Sequence, residues 1–412
     1  MEDKILKKKI KNYYKIIFLI FFFFPLGQKA ILVALNSEGL LSMSSVFSST
    51  IRIVVIGLLF TLASFKKNIE IKNIVIVFII FFSILFFSIL FDLNVRSFKT
   101  YYLSGTTVVL YMFANVFLIF FGVIYLRLNQ NQLNKAKVAV FFSGFLFSLL
   151  SIYSYGKYFG NVARLTSTSA EESLISPLIL SYGAALTIGV VFFELSLKNN
   201  TIKKILYLIV ILMVSFIPFL LGASRGSVIA LVFPIFFIFL FRKGVASKIK
   251  TLIFLIVLVV TTAYLSGEYG SNIIDRFMSK GGSGISIDVD SRTFRWAQAM
   301  EQFMDHPFLG DSIVLEGYVN YPHNIIIEVL QITGLIGFFP FIFLLYKGLS
   351  ASVFIIRELP QNIWIVVFFL QSLMQNMFSG SIITATWFWF SLALVTSIKI
   401  WSLKLNSIKL NL

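Results

Sequence analysis

The sequence predicts an all-α polytopic membrane protein of about twelve transmembrane helices, with one larger extracytoplasmic loop carrying a surface helix. Three observations predict it. Hydrophobic residues make up 58% of the 412 and charged residues only 13%, with a mean hydropathy of +0.91. A soluble domain carries about 25% charged residues. The apolar residues run continuously over roughly the 20 positions that a helix needs to cross a bilayer core, without the period-two alternation of barrel strands. Lys and Arg gather in alternate loops, as they do when cationic loops stay on the cytoplasmic side. A single integral membrane domain, 1–412, follows.

In chain order, the spans are expected at 16–35, 44–65, 73–92, 107–126, 138–156, 174–197, 205–221, 227–241, 251–266, 324–346, 362–379 and 381–400. The basic N-terminus before the first span mimics a signal peptide, but no small-residue cleavage site follows it, so an uncleaved helix is expected. PLGQ at 25–28 reads as a helix break. Of the 35 Lys and Arg, 24 fall on the side of the N-terminus and nine on the other, with Lys29 and Arg52 inside spans. Both termini are therefore expected in the cytoplasm. This distribution also excludes nucleic acid as the reason for the +17 net charge. With no Cys there is no disulfide or thiolate site.

The one long external segment is expected at 267–323. SKGGSG within it is flexible. SRTFRWAQAMEQFMDHP reads as a helix capped by Ser291 and closed by Pro307. Trp296, Met300, Phe303 and Met304 form an apolar stripe at helical spacing, so this helix is expected on the membrane surface. DVD at 288–290 reads as solvated loop acids. The first external loop, NSEGLLSMSSV, has no Asp-x-Asp cluster, and neither a metal nor another cofactor is expected.

Ionisable residues inside the membrane are functional candidates by default. Lys29 either snorkels or lines a cavity, and Arg52 is within reach of the external interface. Glu194, close to Lys198 at a helix end, reads as a solvated end charge. Three external features concentrate the remaining polar chemistry. In GASRGS, Arg225 is either an interface anchor or an anion ligand, since a guanidinium offers phosphate a bidentate fork. Arg292 and Arg295 open the surface helix, where backbone N–H groups add to a field that suits an anion. In YPHNIIIEVLQITGLIG, Tyr321 and His323 lie at the membrane surface, and an imidazole there accepts protons near neutral pH. Asn324 and Glu328, four apart, share a helix face. Gly334 and Gly337 permit close helix packing. His306, at a helix stop, reads as structural.

Taken together, these features resemble the O-antigen polymerase and O-antigen ligase family of bacterial surface polysaccharide assembly. The family's His, then Asn, Ser or Gln, then nine residues and Gly-x-x-Gly, corresponds to His323, Asn324, Gly334 and Gly337. Its Arg-x-x-x-Trp, short helix and Pro-x-x-Gly correspond to Arg292, Trp296 and PFLG at 307–310. Its Ser-Arg turn before a helix corresponds to Ser224-Arg225-Gly226. The resemblance covers about 222–346 and is carried by the ordered set of motifs. It implies a metal-independent membrane glycosyltransferase of the bacterial inner membrane, with a fold like that of the GT-C class. Its donor would be an undecaprenyl-diphosphate-linked oligosaccharide. Its other partners would be an acceptor glycan, membrane lipids and a chain-length regulator. Arg225 and Arg292 would hold the diphosphate, with Arg295 beside them. His323 would serve as base or position the acceptor, supported by Tyr321, Asn324 and Glu328.

Polymerase is the favoured branch, because the external loop is compact and YPHNIIIEVL looks closer to it. Ligase is the alternative within the family, and a twelve-helix transporter or flippase is the alternative from another class. The chain shows neither the internal repeat nor the long central cytoplasmic loop that would favour a carrier.

Overall fold

The structure, a computed structural model, describes residues 2–37, 41–65, 68–95, 104–159, 176–197, 200–222, 224–268, 292–315 and 321–410. Ser291, SKGGSG, Asp288, Asp290 and Lys198 lie outside the described residues. We label the helices in chain order: α1 (Glu2–Phe22), α2 (Gln28–Ser37), α3 (Leu41–Leu62), α4 (Ile69–Val95), α5 (Gly105–Tyr111), α6 (Leu118–Ile124), α7 (Gln130–Tyr155) and α8 (Pro177–Leu195). There follow α9 (Ile202–Gly222), α10 (Arg225–Phe241), α11 (Val245–Glu268), α12 (Arg292–Asp305), α13 (Ile325–Glu358), α14 (Ile363–Phe378) and α15 (Thr386–Leu410).

The protein is all-α and polytopic, and every predicted span overlies one of these helices or a joined pair. Among the described residues, nine helices are long and apolar enough to cross a membrane. Val46–Leu62, Arg225–Phe241 and Ile363–Phe378 are shorter. The break expected at PLGQ is instead a π-helical turn, Phe23–Gly27, that joins α1 to α2. The wider turn relaxes the clash that Pro25 would cause in a regular helix, so the span continues. A second π turn, Met112–Phe117, joins α5 to α6.

Two compact units are present. The first comprises 1–61, 128–280 and 355–371. Its most enclosed helix is α8, and glycines bring α7 close to it. A Cβ on Gly183 would stand 2.7 Å from the Phe147 ring, and one on Gly144 would stand 2.6 Å from Thr187 Oγ1. Small residues at such contacts let membrane helices approach closely where lipid offers no hydrophobic drive. Ser148 and Ser215 hydroxyls pair at 2.9 Å, and the Gln371 side chain donates to the Tyr182 carbonyl at 3.1 Å.

In the second unit, 62–127, 281–354 and 372–412, the core is aromatic. The fully buried Trp389 meets Phe78, Phe81, Phe120 and Phe341 at ring-centroid distances of 5.7, 5.6, 6.0 and 6.3 Å. Tilted and edge-on rings at such spacing are the favourable geometry for aromatic pairs. This cluster accounts for part of the large Phe content.

Candidate functional site

The second unit carries the irregular backbone. At Gly334, α13 leaves helical geometry (φ 57°, ψ −163°) and resumes beyond it. Such a break frees backbone groups, which cost several kcal/mol each in apolar surroundings unless they find partners. The loop after α12 supplies them. Asp311 N–H donates to the Gln331 carbonyl at 2.6 Å, and Leu335 N–H and Ile336 N–H donate to the carbonyls of Pro307 and Phe308 at 2.8 and 3.2 Å. The loop itself turns at Gly310 (φ +78°). A Cβ on Gly334 would stand 2.3 Å from the Phe308 oxygen, and one on Gly310 would stand 2.4 Å from the Ile332 carbonyl carbon. PFLG and the first glycine of GLIG are therefore two halves of one structure. The close packing expected of Gly334 and Gly337 between helices is corrected accordingly. Gly334 admits a loop into a broken helix, and Gly337 makes room for Thr333 of its own helix.

A polar network fixes this loop. The Gln302 side chain donates to Asp311 Oδ2 at 2.9 Å. The Gln331 side chain donates to Gln302 Oε1 at 3.2 Å and to the Ser312 carbonyl at 2.9 Å. Asp92, buried on α4, accepts from Ile313 N–H at 2.7 Å. The sequence reading missed Asp92, Gln302 and Gln331. An acid at the end of an apolar run was the available signal for Asp92. The network also turns α12. Its buried face is Ala299, Gln302 and Phe303, while Met304 is exposed. The stripe expected through Met304 is thus rotated, because Gln302 finds its amide partners inside the unit.

From here the chain enters α13 through Tyr321–Asn324. The Trp296 indole donates to the Pro322 carbonyl at 2.9 Å and ties α12 to this link. His323 follows with φ +58°, and among the described residues it is the non-glycine with positive φ. That conformation is uncommon outside glycine and costs about 1–3 kcal/mol. Tyr321 lies against the imidazole with ring centroids 4.4 Å apart. Nδ1 of His323 is buried, without a hydrogen-bond partner among the described residues. Burial, then the Arg295 guanidinium, then that of Arg292, push the imidazole down to about 4. It is therefore neutral at pH 7. Arg292 is exposed at the first residue of α12, and Arg295 is half-buried one turn on.

Asn324 and Glu328 turn elsewhere. Asn324 is the N-cap of α13, its side-chain oxygen accepting from Ile326 and Ile327 N–H at 3.1 and 3.3 Å. Such a cap satisfies donors that the helix start leaves open. Glu328, fully buried, accepts from the Ser381 hydroxyl and from Ile382 N–H at 2.8 Å. It clasps the link between α14 and α15, which turns at Gly380 (φ +147°).

Arg225 belongs to the first unit, exposed at the first residue of α10 after Ser224. Glu194 of the same unit corrects an expectation. It is 3% exposed, not solvated, and is held by Lys137 and Lys204. Lys137, 57 residues away, gives no local sign of the pairing.

No curated protein matches the chain. Residues 208–342, from within α9 to within α13, match the family model described as O-antigen ligase. The matched stretch contains Arg225, Arg292, Arg295, Tyr321, His323, Asn324 and Glu328, together with both halves of the broken-helix joint. The multi-pass helical body and this match are together consistent with the O-antigen polymerase and ligase family, whose members are membrane glycosyltransferase-like enzymes.

Proposed function

We propose that the protein is a polysaccharide polymerase. It transfers a glycan from undecaprenyl diphosphate to an acceptor sugar hydroxyl on the extracytoplasmic face of the bacterial inner membrane, with both termini in the cytoplasm. The observation that carries the reading is His323, held in a left-handed conformation where the charges of Arg292 and Arg295 act on it. Strain of this kind persists where the surroundings over-determine it, and it clusters at functional sites.

In the proposed reaction the acceptor oxygen attacks the anomeric carbon, and the bond from that carbon to the diphosphate oxygen breaks. Negative charge grows on the leaving diphosphate, and fixed guanidinium groups at Arg292 and Arg295 stabilise it. The acceptor proton passes to the neutral His323 imidazole. Tyr321 supports the ring from its face, Asn324 fixes the helix entry, and Glu328 anchors the first half of α13. A groove of about 1010 Å³ in the second unit, walled by Phe87 and Phe91 of α4 and by the 307–310 loop, offers apolar surface to a prenyl chain. A chain-length regulator is the expected protein partner.

The test is turnover of a lipid-linked repeat unit by purified protein in the absence of any gradient. His323→Ala should bind the lipid diphosphate and fail to transfer. Loss of donor binding would move His323 to the diphosphate site. The description of the matched family favours the ligase as the second reading. A gene deletion separates the two on a surface-polysaccharide gel. Single repeat units without a ladder mark a polymerase, and loss of all polymer on the core marks a ligase.

A further inference from the structure

We propose that the cleft among α7, α8 and α9 of the first unit binds the headgroup of an anionic phospholipid through Lys204 and Lys137. The cleft, about 390 Å³, is lined by Asn134, Lys137, Phe141, Glu194, Lys204 and Tyr207. Lys137 Nζ lies 3.0 and 2.8 Å from the two carboxylate oxygens of Glu194, and Lys204 pairs with Oε1. Two ammonium groups thus share one carboxylate, which leaves one positive charge in surplus. An ammonium has three donors. Among the described residues Lys204 donates to Glu194, so two donors remain directed to the cleft or to water. Asn134 and Tyr207 line the same space, and both carry neutral donors.

The neighbouring surface tells a lipid from a soluble anion. Val138 and Phe142 on α7 and Leu206 and Val210 on α9 are 54, 44, 57 and 50% exposed. These helices are long and apolar enough to span a membrane, so acyl chains lie against them. A phosphodiester at the lysines with its chains along these faces satisfies both halves of the surface, whereas a free phosphate satisfies only the cations. Basic pockets between membrane helices hold anionic headgroups in this manner. A phosphodiester of charge −1 also matches the surplus.

Native mass spectrometry of the full chain, released from mixed phosphatidylglycerol and phosphatidylcholine bilayers, tests the proposal. Wild type should retain phosphatidylglycerol about fivefold over phosphatidylcholine, the ratio expected for one cation near a headgroup. Lys204→Gln should remove the preference, Lys204→Arg should keep it, and Lys243→Gln, at an exposed pair elsewhere in the unit, should not alter it. An unchanged preference in Lys204→Gln, or its loss in Lys204→Arg, overturns the proposal. So does displacement of the lipid by an equal concentration of glycerol phosphate, which would identify a soluble-anion site. If the Gln variant cannot be recovered, thermal stabilisation of wild type decides. Phosphatidylglycerol must stabilise it more than phosphatidylcholine, and equal effects sink the idea.

Discussion

The α7–α8–α9 region of the first unit and the α12–α13 region of the second use the same unusual residues to different ends. In the first, Gly144 and Gly183 sit in regular helices and let neighbouring side chains approach, and the buried Glu194 is neutralised by two lysines. In the second, Gly310 and Gly334 adopt positive φ, and the buried Glu328 is met by a hydroxyl and a backbone N–H. Glycine serves packing in one region and irregular backbone in the other. A buried acid is a charge partner in one and an anchor for a loop in the other. Irregular backbone at membrane depth persists where it is enclosed by protein or lines a cavity, and His323, the proposed base, stands at the entry to the helix that carries this break.

The comparison is most easily broken at its extremes. His323→Ala should lower transfer about 10²- to 10⁴-fold, the usual cost of losing a general base, measured as turnover at saturating donor. His323→Gly should lose as much activity while melting no lower than wild type, because glycine takes positive φ freely. A Gly variant with full turnover would reduce His323 to a helix-entry residue. At Gly334, alanine meets both a positive φ and the Phe308 oxygen, so Gly334→Ala should cost about 3 kcal/mol or more. Gly57→Ala, where nothing lies within 4 Å of the new methyl, should cost far less by thermal melting. Equal melting points would show that the backbone at Gly334 does not require glycine.

The two acids sharpen it further. Glu194→Gln leaves two lysines around a neutral amide, and breaking a buried pair typically costs about 3–5 kcal/mol. Glu328→Gln keeps an acceptor for Ile382 and should cost about 1 kcal/mol, read by denaturant melts of both proteins. The reverse order would make Glu328 the charged site. A smaller effect concerns pH. The His323 imidazole is depressed below its ordinary 6.5 to about 4. The acid limb of kcat/KM should therefore lie below 6.5, since this limb reports the free enzyme. Removing a nearby cation makes the imidazolium easier to form, so Arg295→Gln should shift the limb upward. A limb that stays put in that variant would show that the arginine does not act on His323. The last contrast separates the guanidinium groups. Arg292→Lys and Arg225→Lys should lower activity severely because Lys lacks the bidentate fork, and Arg295→Lys should be milder.

The helical body was legible because a membrane span announces itself as an uninterrupted apolar run. Arg292, Trp296 and His323 were legible because polar groups stand out against that background. What the sequence hid was pairing at a distance. Nothing near Glu194 points to Lys137, and nothing near Asp92 points to Ile313, 221 residues away. The break in α13 was hidden for another reason. Glycine is ordinary in membrane helices, and the groups that complete the break come from a loop more than twenty positions upstream. Pro307 reads locally as a helix stop, while its carbonyl is a hydrogen-bond partner for Leu335.

That joint bears on how the protein is made. Ile325–Glu358 is 34 residues, which would be about 51 Å as unbroken helix, and it is strongly apolar as one segment. The stub before Gly334 is about 14 Å long and cannot cross a bilayer by itself. In lipid its open carbonyl and amides would be unsatisfied until Pro307–Asp311 docks, so opening the helix and seating the loop are a single event. Synthesis delivers that loop first, and the segment that receives it inserts afterwards. The joint is thus complete only once loop and helix have met, and a chain stalled before this docking would carry α13 unbroken.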